Sequence, residues 1–523
     1  MILQNLVFPK ENICNEPELY FHGTTDGKIP AGNEADLFTY FNSFSAYKWK
    51  MYTKIKEVRF RLRCKGSCMV RLWDAGVTGG TMALTENFTS ERHRQADPDE
   101  VSLSFSMADV KGIVYATVRA DSDTEILSGC FETVFEPIQL AKIAIGICTF
   151  RREEFVKKTL ETLKRETMEN PDSPLYQNVY VYVSDNGQTL PCEELSNDRI
   201  FVMPNRNTGG SGGFGRCMKE AYEDREKYGL THILLMDDDI VLEPESLFRT
   251  YTLLNFLKEE RKGAMLGGGL LRLDIPYIQH ANGELWQGGR IGFTKRGYDL
   301  RKMTDVVRNE YNLPMDYNGW WYCCVPLAEQ FRGFPLPIFI HGDDIEYGLR
   351  FDGNIMTMNG IGVWHDAFDN RKASSMEYYD MRNTLIACAI HHPEYSRLHM
   401  IKRVARHLIG QMLHLRVKDQ ELTMKGVEDF CKGTEFLKEL DPTKLHPEIM
   451  KMGYAMQDVS DDLHKFGVDV ERTKPQPSHL YEDGGFAKKH LLSVNGWLLP
   501  AKKETAVLPM GCLLYTSDAA DDK

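Results

Sequence analysis

The strongest constraint on this sequence is an alternation of apolar strands and helices in its central part. Residues 143–148 form an unbroken apolar run, as expected of a strand that is covered on both faces. A helical pattern follows over 153–169, a second strand over 179–183, a helix around 216–228 and a third strand over 232–236. This order predicts an α/β layer with right-handed crossovers between parallel strands.

Polar side chains follow these three strands at their carboxyl ends, which is where α/β sheets bind ligands. They are Thr149, Asp185 and Asp237. We therefore expect these side chains to meet at one edge of the sheet and to form part of the functional site.

The flanking segments have other patterns, and 523 residues are too many for one hydrophobic core. Residues 58–63, 68–73 and 101–105 alternate apolar and polar side chains, which predicts half-buried antiparallel strands. After about residue 375 the chain becomes helical. The predicted fold class is multidomain α/β, in four parts: an N-terminal β-sandwich or barrel domain over 1–135, a Rossmann-like domain over 136–375, a C-terminal helical domain over 376–505, and a tail over 506–523 that we interpret as an artefact.

One predicted C-terminal helix has basic residues among apolar residues at helical spacing. The apolar positions are Ile401, Val404, Leu408, Met412 and Leu415, and the basic ones are Lys402, Arg403, Arg406 and Arg416. We favour a core-packed helix with a solvated basic face. The alternative is a patch over 401–418 that contacts anionic lipid headgroups.

Charge and composition narrow the class of function. The chain has 63 Lys and Arg against 75 Asp and Glu, a net charge of −12, which argues against a nucleic-acid binder held by phosphate neutralisation. We find no signal peptide and no apolar run near the ~20 residues that span a bilayer. Twelve cysteines without a paired framework suit a reducing compartment. We expect a cytoplasmic protein, or one that is peripheral at the inner face of the cell membrane.

The triplet Asp237-Asp238-Asp239 directly follows the third strand. Strand geometry would point Asp237 and Asp239 to one side and Asp238 to the other. Clustered carboxylates repel one another unless a cation or hydrogen-bond donors offset the repulsion. Oxygen ligands at this density suit a hard divalent cation, Mg²⁺ or Mn²⁺. A solvated acidic turn is the alternative, and the triplet alone does not decide between the two.

Nearby segments favour a nucleotide site beside the triplet. Residues 149–151 (Thr-Phe-Arg) and 185–187 (Asp-Asn-Gly) end the first two strands, where a base and a ribose could be recognised. The glycine-rich segment 205–215 is predicted to be a loop that brings backbone amides to phosphate at the start of a helix. It lacks the Gly-Lys-Ser/Thr ending of a P-loop, and a flexible connection is the alternative.

Later motifs offer sugar-binding and catalytic groups. Trp320 and Trp321 are adjacent, which usually means core packing but beside a sugar provides stacking faces. The pair Asp343-Asp344 opens a predicted helix, and one of these carboxylates could accept a proton from an attacking hydroxyl. His365 follows a strand-like segment and could complete a metal site begun by the acidic triplet.

The order of these motifs along the chain carries a resemblance to a known family. They are Cys-Thr-Phe-Arg at 148–151, Asp-Asn at 185–186, Asn-x-Gly-Gly-Ser-Gly-Gly-Phe at 207–214, the acidic triplet, Trp-Trp at 320–321, Asp-Asp-x-Glu-Tyr-Gly-Leu-Arg at 343–350 and Trp-His-Asp at 364–366. The series resembles family 2 glycosyltransferases with the GT-A fold, most of all the bacterial galactofuranosyltransferases that build galactan from UDP-galactofuranose. The resemblance covers nearly the whole chain, because those enzymes also carry an N-terminal β domain, where residues 39–44 share in it, and a C-terminal helical domain.

The resemblance implies an inverting, metal-dependent transferase of bacterial cell-wall or capsule polysaccharide biosynthesis. It implies a UDP-sugar donor, a glycan or lipid-linked acceptor, and assembly into a homo-oligomer. It also implies a role for each matched residue: donor nucleotide binding by Thr149, Arg151, Asp185, Asn207, Asp237 and Asp238; Mn²⁺ or Mg²⁺ binding by Asp237, Asp239 and His365; sugar or acceptor contact by Glu284, Trp320, Trp321 and His341; acceptor positioning by Asp343; and general-base catalysis by Asp344.

One departure limits the resemblance. Where the mycobacterial galactan polymerases have Lys-Trp before the aspartate pair, this chain has His341-Gly342. The resemblance therefore leaves open which acceptor is used and whether the chain polymerises sugar.

Other functions remain open from the sequence. A family 2 transferase could use another donor, such as a UDP-hexopyranose or dTDP-rhamnose. A non-catalytic glycan-binding or scaffold protein could use the N-terminal β domain alone. A metal-dependent phosphatase or nucleotidase would need a nucleophile or a second metal cluster, and the sequence offers neither.

Overall fold

The computed structural model describes residues 1–78, 81–82, 86–93, 99–328, 330–366, 373–413 and 415–454. The predicted tail over 506–523 and the last part of the predicted helical domain lie outside these residues. Among the described residues, no helix is both long and apolar enough to cross a membrane.

In the described part of the N-terminal segment, the chain forms two antiparallel sheets, one α-helix and a short 3-10 helix over Pro17–Leu19. Its elements are β1 (Ile2–Asn5), β2 (Lys28–Ile29), β3 (Glu34–Asp36), α1 (Ala46–Tyr52), β4 (Glu57–Lys65), β5 (Cys68–Thr78), β6 (Thr81–Met82), β7 (Glu86–His93), β8 (Asp99–Ser106), β9 (Gly112–Ala120) and β10 (Thr124–Glu132). One sheet has the order β1-β10-β4-β8, and the other has the order β3-β9-β5-β6. β4 buries every second side chain, as the alternation in the sequence predicts.

The central segment alternates strands and helices. Its elements are β11 (Ile143–Thr149), α2 (Glu153–Leu163), β12 (Val179–Asp185), α3 (Cys192–Leu195), β13 (Ile200–Pro204), α4 (Gly209–Glu223), α5 (Arg225–Tyr228), β14 (His232–Asp237), β15 (Val241–Leu242), α6 (Pro244–Asn255), β16 (Met265–Gly267), β17 (Gly269–Arg272), β18 (Gln279–Ala281), β19 (Glu284–Trp286), β20 (Ile291–Phe293), α7 (Met303–Asn309), β21 (Cys323–Pro326), α8 (Asp343–Leu349), β22 (Ile355–Met356) and β23 (Gly362–His365).

The main sheet has seven strands in the order β13-β12-β11-β14-β21-β16-β22. β11 to β14 are parallel, as predicted, but β21 runs antiparallel to both β14 and β16. The sheet is therefore mixed rather than wholly parallel. The sequence did not reveal this, because a fully buried strand is apolar whichever way it runs.

The register of the main sheet brings the predicted polar strand ends together. Thr149 pairs with Asp185 across β11 and β12, and Cys148 pairs with Asp237 across β11 and β14. The crossovers diverge at β11, since β12 lies on one side of it and β14 on the other. A crevice forms beyond the carboxyl ends of strands at such a point.

The helix α4 begins at Gly209, well before the start at Arg216 that the sequence predicted. The glycine-rich segment therefore forms the first turns of a helix, and the predicted loop over 205–215 is wrong in its second half. Glycine disfavours helices, but here it permits close packing. A Cβ atom on Gly213 would lie 2.1 Å from Cys148 Sγ, and one on Gly209 would lie 2.2 Å from the carbonyl oxygen of Phe339.

The C-terminal segment is helical, as the sequence predicts. Its elements are α9 (Met376–His391), α10 (Arg397–Leu413), α11 (Val417–Cys431), α12 (Thr434–Glu439) and α13 (Pro442–Met452). Tyr378, Leu422 and Ile449 belong to one buried apolar cluster that joins α9, α11 and α13.

The helix α10 exposes part of the apolar stripe that we expected to be packed, although Lys402 and Arg406 are exposed as expected. Its polar residues Arg403, His407 and Gln411, four positions apart, face the body of the protein. Its apolar residues Ile401 and Met412 are 63% and 55% exposed. The prediction of a core-packed helix is therefore wrong, because hydrogen bonds of the polar stripe fix the rotation of the helix about its axis.

A buried arginine links the N-terminal segment to the central segment. Arg249 on α6 donates hydrogen bonds to the carbonyl oxygens of Asn5 (3.1 Å), Phe41 (2.8 Å) and Gly360 (3.2 Å), and it pairs with Glu245 at 3.2 Å. Glu245 in turn accepts the backbone amide of Asn5 at 2.6 Å. The predicted domain boundary near residue 135 stays a prediction, since buried residues on both sides of it belong to one continuous apolar core.

Replacing Arg249 by leucine should lower the free energy of unfolding by about 3–5 kcal/mol, because the buried carboxylate of Glu245 and three carbonyl groups would lose a charged partner. Chemical denaturation measures this change. Arg165→Leu is the matched control, since Arg165 is exposed and its loss should change stability by no more than about 0.5 kcal/mol. Equal stability of the two variants would contradict the role given to Arg249.

Candidate functional site

The acidic triplet lies at the carboxyl end of β14, where a second short sheet meets the main one. β23 belongs to that second sheet and ends at His365. His365 Nε2 lies 3.0 Å from Asp239 Oδ1. Ligand atoms of Asp237, Asp239 and His365 all lie within 4.8 Å of one another. The three side chains that the sequence grouped as metal ligands are therefore together.

This group has the donor chemistry that a divalent cation needs. Two carboxylates and one imidazole converge, and His365 Nδ1 lies 2.6 Å from the carbonyl oxygen of Asp366. A carbonyl can only accept a hydrogen bond, so Nδ1 carries a proton, and Nε2, which faces Asp239, is the nitrogen that could bind a metal after losing its own proton. Burial opposes a charge on His365, but the hydrogen bond to Asp239 and the charges of Asp239 and Asp237 together outweigh burial and raise the pKa of His365 to about 9.

Arg152 also neutralises the triplet. Its Nη1 lies 2.5 Å from Asp239 Oδ2 and 3.4 Å from Asp238 Oδ1. Arg152 stands at the start of α2, directly after the strand end that carries Thr149. No motif pointed to Arg152, although two adjacent arginines directly after a strand end were a visible signal.

Burial raises the pKa of Asp237 to about 6 and that of Asp238 to about 7, and the charge of Asp239 adds to both shifts. Asp238 is 6% exposed. Its carboxylate is not fully separated from that of Asp239, because both contact Arg152. The triplet therefore acts as one electrostatic unit that favours added positive charge.

A cavity of about 620 Å³ opens on one side of the triplet. Its walls come from the ends of β11 and β12, the start of α4, the segment before α8, and α13. The lining includes four of the predicted nucleotide-binding residues: Thr149, Arg151, Asn207 and Asp238. Gly209 and Gly210 line it as well, so the backbone at the start of α4 reaches this cavity.

Asp185 does not line this cavity. It is fully buried, and its two carboxylate oxygens accept the backbone amides of Gly187 at 3.1 Å and Leu190 at 2.8 Å. The structure therefore gives this carboxylate a role in holding the turn after β12, and its neighbours Asn186 and Gly187 line the cavity instead.

A second cavity, of about 550 Å³, opens on the other side of the triplet. It contains Asp237 and all the residues predicted to bind sugar, bind acceptor or act as base: Glu284, Trp320, Trp321, His341, Asp343 and Asp344. Gly210 and Ile340 line both cavities. The two spaces therefore meet beside the triplet, which suits a ligand with two chemically different ends.

Aromatic and acidic groups shape the second cavity. The indole of Trp321 donates a hydrogen bond to the carbonyl oxygen of Gly268 at 2.9 Å, which fixes its ring. Glu284 accepts a hydrogen bond of 2.6 Å from the Tyr317 hydroxyl. Burial raises the pKa of Glu284 to about 7, against the effect of Tyr317. Tyr317 is a lining residue that the sequence analysis missed, because a lone tyrosine carries no motif.

Asp343 and Asp344 form the first turn of α8. Burial raises the pKa of both carboxyl groups, and the charge of Asp344 raises that of Asp343 further. The amide of Ile345 donates to Asp344 Oδ1 at 2.8 Å, which favours the ionised form. A carboxylate with a raised pKa that remains ionised is a suitable proton acceptor.

The helix α8 is anchored by Glu346, which is buried. Arg350 binds both carboxylate oxygens of Glu346, at 3.0 and 2.5 Å, and His391 of α9 lies 3.0 Å from one of them. The segment that precedes α8 is held as well, because Asn383 of α9 donates hydrogen bonds to the carbonyl oxygens of Ile340 (2.8 Å) and His341 (2.7 Å). The C-terminal helices therefore position the aspartate pair.

The N-terminal and central segments each match the model of a known protein family. The family described as "Glycosyl transferase family 2" matches residues 144–304, and that described as "Galactofuranosyltransferase 2 N-terminal" matches residues 6–133. The first match contains the triplet and the residues after β11 and β12 and at the start of α4 that line the first cavity. The mixed main sheet with helices agrees with a GT-A-like glycosyltransferase fold.

Two curated proteins are similar to most of this chain. Galactofuranosyltransferase GlfT2 of Mycobacterium tuberculosis is 28% identical over 82% of this chain and 70% of its own length. The protein of the same name from Mycolicibacterium smegmatis is 27% identical over 85% of this chain and 71% of its own length. Among solved structures, a mannosyltransferase from Pyrobaculum calidifontis in complex with GDP-Man and Mn²⁺ aligns with a TM-score of 0.31 and 10% identity over 61% of this chain and 87% of that chain.

Binding of Mn²⁺ should release a proton from His365, because the metal needs Nε2 without its hydrogen. With the pKa of His365 raised to about 9 in the metal-free protein, the affinity for Mn²⁺ should rise about tenfold per pH unit between pH 7 and 8.5. Calorimetry in buffers of different ionisation enthalpy measures both affinity and proton release. Asp239→Ala should abolish binding, and an affinity that does not change with pH would contradict the assignment of His365.

Proposed function

We propose, from the premise that this chain is a family 2 glycosyltransferase, that it transfers galactofuranose from UDP-galactofuranose to a hydroxyl group of a glycan or lipid-linked acceptor of the cell surface. The similarity to the two mycobacterial galactofuranosyltransferases supports this donor. The observation that carries the proposal is the meeting of the two cavities at the triplet, with the aspartate pair in the second cavity. A nucleotide and a sugar would then lie on either side of the carboxylates.

The proposed mechanism is a single displacement with inversion. Asp344 accepts the proton of the acceptor hydroxyl while the hydroxyl oxygen attacks the anomeric carbon of the donor, and the bond from that carbon to UDP breaks. Asp343 orients the acceptor. One carboxylate suffices at the reacting centre, since a diphosphate leaves without protonation, whereas a glycosidase needs an acid and a base.

We propose that Asp237, Asp239 and His365 hold Mn²⁺ or Mg²⁺. When bound, such a cation neutralises charge on the departing diphosphate. Arg152 lies on the same carboxylates and keeps part of the repulsion in check without the cation. Thr149, Arg151 and Asn207 bind the nucleotide, and the buried Asp185 supports that site from behind.

The acceptor side of the proposal rests on the second cavity. Glu284 and Trp321 contact sugar, and Trp320 packs behind them against Phe214 at 5.2 Å between ring centroids. His341 forms a 2.8 Å pair with Asp380 of α9. A lysine at that position would extend a permanent charge, so the acceptor of this chain differs from one that such a lysine recognises.

We also propose that α10 contacts a membrane surface peripherally. Leu398, Ile401, Ile409, Met412 and Leu415 are 49–69% exposed, while Lys402 and Arg406 beside them are exposed as well. An apolar stripe flanked by basic residues fits the boundary between acyl chains and anionic headgroups. A homo-oligomer that buries the same stripe is the other arrangement that these residues allow.

Asp344→Asn should lower kcat for sugar transfer by about a thousandfold, because the amide cannot accept the proton of the acceptor hydroxyl. The affinity for UDP should stay within about twofold, as measured by calorimetry. Asp352→Asn, just beyond α8 and exposed, is the control and should keep full activity. Wild-type turnover by Asp344→Asn would show that another group is the base.

Incubation with UDP-galactofuranose, lipid-linked acceptors and Mn²⁺, followed by mass analysis of the products, tests the donor. We expect addition of one or more hexose units, with UDP released only when the acceptor is present. UDP-galactopyranose, UDP-glucose and dTDP-rhamnose should give less than about a hundredth of that product. Preference for one of these donors would replace galactofuranose in the proposal, and the absence of product with all of them would overturn transfer.

A double replacement, Ile401→Glu with Met412→Glu, tests the contact made by α10. The unaltered protein should sediment with phosphatidylglycerol vesicles and the variant should not, because two charges would be forced into an apolar layer. Val134→Glu, at a site that is 72% exposed, is the control and should keep binding. Light scattering tests the alternative. If the unaltered protein and Val134→Glu are oligomers and the double variant is a monomer, the stripe binds a second copy of the chain.

A further inference from the structure

The nucleotide cavity is closed on one side by α13, which lies outside both family matches. Pro442, Thr443, His446 and Pro447 of this helix line the cavity opposite the ends of β11 and β12. None of them lines the second cavity. The helix therefore covers only the part of the nucleotide cavity that lies away from the predicted sugar.

One face of α13 packs in an apolar cluster, and another lines the cavity. Leu445 and Ile449, four residues apart, are buried in the apolar cluster shared with α9 and α11. The cavity-lining residues Thr443 and His446 lie on another side of the helix. Packing of the first face therefore determines where the imidazole of His446 stands.

The imidazole of His446 is held in place by two aromatic residues. Its Nδ1 lies 3.0 Å from the Tyr379 hydroxyl, and its centroid lies 4.9 Å from that of Phe339. Phe339 itself lines the cavity and has a positive φ of 76°. Its conformation is maintained by α4, since Ser211 donates its backbone amide to the Phe339 carbonyl at 2.9 Å. The ring of His446 therefore needs little ordering when a ligand arrives.

The helix α13 is also tied to the opposite wall of the cavity. Asp441 caps its N-terminus by accepting the amide of Thr443 at 3.1 Å. The same carboxylate lies 3.9 Å from Arg206, which directly precedes the cavity residue Asn207. This exposed pair contributes little stability, but it joins the start of α13 to the segment before α4.

We infer that His446 is a nucleoside-binding residue, and that α13 completes the donor site by placing this ring against the base or ribose. The inference rests on the proposed function for the identity of the ligand, UDP. The diphosphate must lie near the triplet and Gly210, where the two cavities meet, so the nucleoside occupies the part that α13 covers. Nucleobases commonly stack on aromatic side chains, including histidine.

Calorimetric titration of the full chain with UDP and Mn²⁺ tests this inference. His446→Ala should weaken UDP binding about tenfold, because a base would lose one stacking face. His446→Phe should keep the affinity within about threefold, since it retains the ring. Glu448→Ala, an exposed position on the same helix, should bind UDP as the unaltered protein does. Melting temperatures of all three variants report whether each has folded.

Titration with inorganic pyrophosphate and Mn²⁺ separates a nucleoside contact from a general distortion. His446→Ala should bind pyrophosphate as well as the unaltered protein does, because pyrophosphate does not reach α13. Unchanged UDP affinity in His446→Ala, or an equal loss for UDP and pyrophosphate, would overturn the inference and leave the proposed function standing. Failure of the unaltered protein to bind UDP would overturn both.

Discussion

The concentration of carboxyl groups at one end of the main sheet is the constraint on which the site depends. The triplet, Glu284 and the aspartate pair come from β14, β19 and α8, and burial raises the pKa of Asp237, Asp238, Glu284, Asp343 and Asp344. Such a group is tolerable only where cations and amide donors approach from several directions. Arg152 from α2 and His365 from β23 supply the positive side, so four or more elements must be in register before the site exists.

The C-terminal helices are part of this arrangement rather than an appendage. Asn383 and His391 of α9 fix the segment and the helix that carry the aspartate pair, and α13 lines the cavity at the ends of β11 and β12. The polar stripe of α10 bonds inward through Arg403 and leaves the apolar stripe exposed. The same helical layer therefore positions the aspartate pair on one side and leaves an apolar stripe exposed to solvent on the other.

Local patterns predicted the parts of the fold that local physics decides. Apolar runs located β11, β12 and β14, and parallel register then brought Thr149 and Asp237 to one edge. The direction of β21, the early start of α4 and the rotation of α10 depend on partners that are distant in sequence, and no pattern within the segment encodes them. Asp185 was predicted to bind nucleotide because it ends a strand, but its carboxylate accepts hydrogen bonds from the backbone amides of the following turn. Arg152 and His446 were not predicted, because each is placed by contacts with residues on another element, Asp239 and Tyr379 respectively.

The hydrogen bonds of Arg249 affect the order in which the chain folds during synthesis. This one guanidinium binds carbonyl groups of Asn5, Phe41 and Gly360, so the first strand of the protein and a turn near residue 360 close around the same point. Contacts this far apart in sequence form slowly, because a long loop must be ordered first. During synthesis, the full set of these hydrogen bonds cannot form until residue 360 has been added to the chain, so the link between the two segments is completed late.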